Sequence, residues 1–242
     1  MRYPSLRQGL IGAWCPSLGA TGYRLLDRSG YGNHGTLTNM DAGTDWVGGP
    51  RGPVLEFNGV NQNITNFSRI ISPVGQPRTV SAWINVQSTT RRGIVGTRVT
   101  WNGWIFNVNS GNIAGRVDYF HTGRGIVTAL NAFSINAWAH VSATWNGSTA
   151  SIYTAGLLRA TNNIPADLAD TTNGYIGSEE IEPILFFLGF LDDVRIYNRE
   201  LTSAEIRLLA SEPGIGLKPE RTSVYFGDSL SSRRRKILTG LT

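Results

Sequence analysis

The residues best equipped for chemistry are two adjacent carboxylates, Asp192 and Asp193, in the run Gly189-Phe190-Leu191-Asp192-Asp193-Val194-Arg195-Ile196-Tyr197-Asn198-Arg199-Glu200-Leu201. The run alternates as a strand does, which places Phe190, Asp192, Val194 and Ile196 on one face and Leu191, Asp193, Arg195 and Tyr197 on the other. One carboxylate is therefore carried toward the buried face, where it needs a cation or hydrogen-bond donors. A second oxygen-rich group is the glycine-punctuated loop from Asp27 to Gly35, which holds Asp27, Asn33 and His34. Carboxylate, amide and carbonyl oxygens are the donors calcium prefers. The metal-free alternative has Asp27 capping its own turn and Asp192 accepting backbone amides.

Nucleophilic and acid–base catalysis find little support. The only acidic cluster, Glu179-Glu180-Ile181-Glu182, runs into Pro183 and reads as a solvated surface loop. A glycosidase needs two carboxylates facing each other across a cleft. His34, His121 and His140 have no adjacent Ser or Cys nucleophile in a recognisable turn. The chain reads as no enzyme. Its single cysteine, Cys15, cannot form an internal disulfide and reads as a small buried thiol.

The elements that must position these groups are strands. Thr79 to Val86 alternates Val80, Ala82, Ile84 and Val86 against Thr79, Ser81, Trp83 and Asn85. Asn146-Gly147 predicts a hairpin pairing Val141–Trp145 with Ser151–Thr154. Thr202-Ser203-Ala204-Glu205 is a capping box that opens a short amphipathic helix ending near Pro213-Gly214, with Ile206, Leu208 and Leu209 apolar. Many short strands, 29 glycines and no βαβ spacing point to one all-β, two-sheet antiparallel sandwich. No 18-residue apolar run exists to form a membrane helix, and the start, Met1 to Gln8, lacks the apolar core of a secretory signal.

Six segments, in order, resemble the laminin-G-like, concanavalin A-like jelly-roll family over roughly residues 9 to 210. They are Gly9–Trp14, Asp27–Leu37, Val54–Val60, Thr79–Ile84, Trp138–Ser148 and the Asp192-Asp193 strand. The resemblance implies a concanavalin A-like jelly roll, with an arm at 1–8, the domain at 9–211 and a basic tail at 212–242. It also implies a structural Ca²⁺ held by Asp27, Asn33, Asp192 and Asp193. Where relatives carry acids after Phe57, this chain has Asn58, Asn61 and Gln62, which weighs against a second cation. Sugar binding, the family's other common use, would fall to Trp101, Trp104, Tyr119 and His121, with Phe120 beside them. On this reading Trp83, Trp138 and Trp145 are interior.

The net charge of +5 is uneven. From Glu212 onward, Lys218, Arg221, Arg233, Arg234, Arg235 and Lys236 stand against Glu212, Glu220 and Asp228, so the tail carries +3 of it. The Arg233-Arg234-Arg235-Lys236 run has no interleaved aromatics to stack on bases, so a clamp onto other subunits is expected rather than nucleic-acid binding. A fold that works outside cells, without export signal or disulfide, is reconciled by one setting. That setting is a phage particle, in which the chain would be a non-enzymatic lectin-like decoration or tail-associated protein that docks on virion subunits or its own copies through residues 212–242 and adheres to cell-surface glycans. The alternative is a free bacterial carbohydrate-binding protein, extracellular or at the cell surface, with a calcium site.

Overall fold

The computed structural model describes residues 3–67, 75–97, 103–121, 123–166, 174–179 and 185–217. The strands run β1 (Leu10–Trp14), β2 (Arg24–Leu25), β3 (Gly35–Thr38), β4 (Trp46–Gly49), β5 (Gly52–Asn58) and β6 (Asn63–Phe67). Then come β7 (Arg78–Val86), β8 (Arg92–Gly96), β9 (Trp104–Val108), β10 (Val117–His121), β11 (Gly125–Ala129) and β12 (Trp138–Trp145). The last are β13 (Thr149–Thr154), β14 (Leu157–Asn163), β15 (Gly174–Ile176), β16 (Ser178–Glu179), β17 (Leu185–Phe186) and β18 (Leu188–Tyr197), before the helix α1 (Ser203–Leu209). One sheet has the order β14-β13-β12-β7-β18-β5-β4, with β1 also on β18; the other runs β11-β10-β9-β8-β15-β6-β3-β2. The two-sheet antiparallel jelly roll is as expected.

The inner faces meet in one apolar core. Val80, Ala82, Ile84 and Val86 of β7 lie in it with Val141, Ala143 and Trp145 of β12 and with Trp104, Phe106 and Tyr119 from the second sheet. The predicted hairpin forms, with Val141 opposite Thr154 and Thr144 opposite Ser151. The capping box forms as well: the Glu205 amide donates to Thr202 Oγ1 at 3.3 Å and the Thr202 amide to Glu205 Oε2 at 2.9 Å. The helix stops at Leu209, four residues before Pro213, with Ile206 and Leu209 buried.

The alternation expected for β18 breaks at the carboxylates. Opposite β7, Asp192 pairs with Trp83 and Arg195 with Ser81, so three residues of β18 span two of β7. The extra residue is Asp193, at φ 47, the left-handed conformation that aspartate tolerates better than most residues. The bulge reverses the parity: Leu191, Val194 and Ile196 all enter the core, and both carboxylates stay off it.

On the outer side of the first sheet a second, smaller core gathers Leu6, Leu10, Ala13, Cys15, Tyr197, Leu201, Ile206, Leu209, Ile215 and Leu217. The packed unit therefore extends beyond the expected borders at 9 and 211. The start of the predicted tail is pinned: the Gly214 amide donates to Asp193 Oδ2 at 2.8 Å. Burial first, then the charges of Asp193 and Asp192, raises the Cys15 pKa, which leaves this thiol protonated and inert. Among the described residues no helix is long and apolar enough to cross a membrane.

Candidate functional site

Three adjacent strands of the first sheet, β12, β7 and β18, present two cross-strand rows on its outer face. Trp138, Asn85 and Phe190 are in register in one row; His140, Trp83 and Asp192 form the next. The rows exist because the alternate residues of the same strands are committed to the core. Strand β18 can lie this close because Gly189, at φ 127, has no side chain: a Cβ there would come within 2.1 Å of the Asn85 carbonyl oxygen.

The rings are half-buried and fixed. Trp138 and Phe190 have centroids 6.3 Å apart at 33°. Trp83 meets His140 edge-on at 5.6 Å, and its Nε1–H donates to the Leu209 carbonyl at the end of α1, at 3.2 Å. The Arg51 guanidinium lies 5.0 Å from the centroid of the Trp83 ring, a cation–π placement. Together Pro50, Arg51, Val54, Trp83, Trp138, Asp192 and Pro213 line a small pocket of about 100 Å³, room for part of a ligand laid across the face rather than for a whole one enclosed.

Asp192 supplies the acceptor. Its Oδ1 takes the amides of Ser17 at 3.1 Å and Asp193 at 2.8 Å. Burial, and then the neighbouring Asp193 charge, raises its pKa to about 6. On the other side of Trp83, His140 is held neutral, its pKa lowered to about 3 by burial, with Nε2 2.8 Å from Ser81 Oγ. Asn85 Oδ1 and His140 Nδ1 are buried without a hydrogen-bond partner among the described residues, an arrangement native proteins keep rare.

The expected calcium ligands are otherwise engaged. Asp27 Oδ1 accepts from the amides of Ala13 and Ser29, at 2.9 and 2.8 Å, and Oδ2 from Ser29 Oγ and the Asn33 amide, at 2.7 and 2.9 Å. Asn33 Nδ2 donates to the Ile11 carbonyl at 2.8 Å. Asp193 forms a fork with Arg195, both contacts at 2.8 Å, inside the protein. Burial alone would lower the Arg195 pKa, but the Asp193 charge and Tyr197 carry it above the ordinary arginine value. No group of three or more His, Cys, Asp or Glu stands ready for a metal among the described residues. This donor set, filled by amides and a guanidinium, does not fit the implied ion.

The expected sugar-binding aromatics are also placed differently. Trp104, Tyr119 and His121 are buried on the inner side of the second sheet. His121 Nε2 lies 3.0 Å from the Tyr119 hydroxyl, and its ring stacks edge-on against Trp145 at 4.6 Å. They are core, because they share strand parity with Phe106 and Val117. Trp101 and the Arg233–Lys236 run lie outside the described residues. Trp83 and Trp138, expected inside with Trp145, face outward. The Thr79–Val86 alternation carried that signal, since it set Trp83 with Ser81 and Asn85.

Residues 58–207 match the profile of the concanavalin A-like lectin/glucanases superfamily. No curated protein sequence matches the chain. Among solved structures, domain 4 of AbnA, a GH43 extracellular arabinanase from Geobacillus stearothermophilus in complex with arabinotriose, superposes with a TM-score of 0.64. The identity is 16%, over 83% of this chain and 98% of that domain. The binding domain of botulinum neurotoxin serotype G gives 0.64 at 17% identity over 83% of this chain, and that of serotype D 0.64 at 16% over 86%. This chain spans about half the length of the neurotoxin domains, 50% and 51%. At such identities the likeness is one of fold.

Proposed function

We propose that this chain, which belongs to the concanavalin A-like lectin/glucanases superfamily, is a non-catalytic carbohydrate-binding module that seats a sugar on the Trp138–Phe190–Trp83 face. The observation that carries the reading is the register of the two rows, which sets Trp83, Trp138, a carboxylate and a guanidinium around one pocket with the Phe190 ring beside Trp138. Ring faces suit the C–H face of a sugar, Asp192 can accept from its hydroxyls and Arg51 can donate to them. One carboxylate and one guanidinium cancel in charge, which favours a neutral sugar over an ionic ligand. Asp192 is the one carboxylate among the described residues lining the pocket, and its neighbour Asp193 is paired with Arg195, so no second acid faces it as glycoside hydrolysis requires. The fold likeness to a domain solved with arabinotriose is consistent with this reading.

A glycan array probed with the full chain tests it. Hits on neutral glycans are expected, and Trp138→Ala should weaken each about tenfold, the equivalent of about 1.4 kcal/mol, with an unchanged melting curve. An array without neutral hits, or hits indifferent to Trp138→Ala and Phe190→Ala, would overturn the reading.

In its finer form the module serves a phage particle, docking on virion subunits or its own copies through the basic tail. The concentration of positive charge after Glu212 supports this. Because Ile215 and Leu217 are buried with the domain, the test leaves them intact: Arg233, Arg234 and Arg235 are changed to Ser in the full chain. Loss of incorporation into particles is expected, and normal incorporation would refute the role.

A further inference from the structure

The outer face of the second sheet carries a different site. Thr128, Asp118, Asn107 and Gly93 stand in one row across β11, β10, β9 and β8. The strap of Ser178 and Glu179 crosses above Gly93, where a Cβ would lie 2.4 Å from the Ser178 carbonyl carbon. That crossing brings Glu179 over the row. It was expected in a solvated cluster; instead it is 2% exposed and accepts from Asn107 Nδ2 at 2.8 Å and from Arg91 Nε and Nη2 at 3.0 and 2.6 Å. Asp118, also buried, takes Arg116 Nε at 2.9 and 2.8 Å and Thr128 Oγ1 at 2.6 Å.

Each buried carboxylate thus clamps an arginine whose side chain is still partly exposed, 33% for Arg91 and 21% for Arg116. Arg91 pairs through Nε and Nη2, and Arg116 bonds through Nε and Nη2, which leaves Nη1 of each outside its clamp. Arg124, exposed, stands at the same open groove, which is lined also by Ser110, Phe120 and Ile126. Phe120 and Ile126 are directly opposite across β10 and β11, and the Arg91 guanidinium sits 5.6 Å from the Phe120 ring centroid. Among the described residues three arginines and no acid line the groove; Glu179 and Asp118 lie beneath the guanidinium groups.

We propose that this groove is a second binding site, independent of the aromatic pocket, and that it recognises the carboxylate of a uronic acid residue in an acidic polysaccharide. The guanidinium fork matches a carboxylate bidentately. Clamping by Glu179 and Asp118 holds two of the three forks in place before the ligand arrives, which lowers the ordering cost of binding. The Phe120–Ile126 pair offers an apolar seat for the sugar ring beside its charge. A polymer recognised by charge alone needs a longer basic stripe than three arginines around one ring.

Binding of the full chain to polygalacturonate, to its carboxyl-reduced polymer and to heparin, by calorimetry at two salt concentrations, decides the matter. Expected are binding to polygalacturonate that weakens with salt, none to the carboxyl-reduced polymer, and about a tenfold loss in Arg124→Ala with partial recovery in Arg124→Lys. Arg124 is exposed and outside both clamps, so the fold should tolerate its replacement; Phe120→Ala is the second variant. Trp138→Ala should leave polygalacturonate binding intact, which separates this site from the neutral-sugar reading. Equal binding of the reduced polymer, binding of heparin but not polygalacturonate, no binding to any of the three, or indifference to both Arg124→Ala and Phe120→Ala would overturn the proposal. So would loss of polygalacturonate binding in Trp138→Ala.

Discussion

The two outer faces of this sandwich use the same strand geometry for opposite ends. On the first sheet, β12, β7 and β18 expose rings around one carboxylate and one arginine, rimmed by a second core built from the N-terminal segment, α1 and residues 213–217. On the second sheet, β8 to β11 bury two carboxylates under arginines, and the β16–β17 pair crosses over β8. The inner faces are committed to the core, so the outer residues are free to differ. What covers each face then sets how strongly its charges act, because burial removes solvent screening.

The largest difference should lie in the ion pairs. Asp193 and Arg195 are 2% and 0% exposed, and removing one partner strands a buried charge. Asp193→Ala should cost about 3–5 kcal/mol in urea unfolding. Arg91→Ala on the other face should cost less, about 1–3 kcal/mol, since the buried Glu179 carboxylate keeps Asn107 as a donor. Equal costs would show that the two faces are electrostatically alike.

A middle-sized effect concerns pH. Asp192 binds its proton more tightly in the folded chain, with a pKa of about 6 against the ordinary aspartate value of 3.8. Stability should therefore fall as pH rises from about 4 to about 6, by at most about 3 kcal/mol, and then level. Asp192→Asn should flatten that slope; an unchanged slope would place its cause elsewhere. The smallest effect is the removal of metal. Asp27 and Asp193 already accept amides and a guanidinium, so EGTA should leave the melting temperature unmoved. A downward shift restored by calcium would reinstate the cation that the family resemblance implies.

Much of the scaffold was legible in the chain. The capping box at Thr202, the Asn146-Gly147 turn and the β7 alternation are local signals, carried by residues within four positions of one another, and each formed as read. Trp83 was legible in part, for its alternation had already separated it from Val80, Ala82 and Ile84. The β18 faces were not legible, because one residue at positive φ reverses strand parity and the sequence of a bulge differs little from that of a strand. Nor was Glu179, whose burial depends on Gly93, 86 positions earlier in the chain, leaving room for the strap.

By itself the sequence determined the architecture, the family and the strand on which the paired carboxylates sit, because alternation and turn chemistry act over a few residues. Tertiary structure decided which tryptophans face outward, which acids lie under arginines and which carboxylate borders a pocket. Those outcomes depend on cross-strand register and on what each face packs against. Both are settled by contacts between residues far apart in the chain.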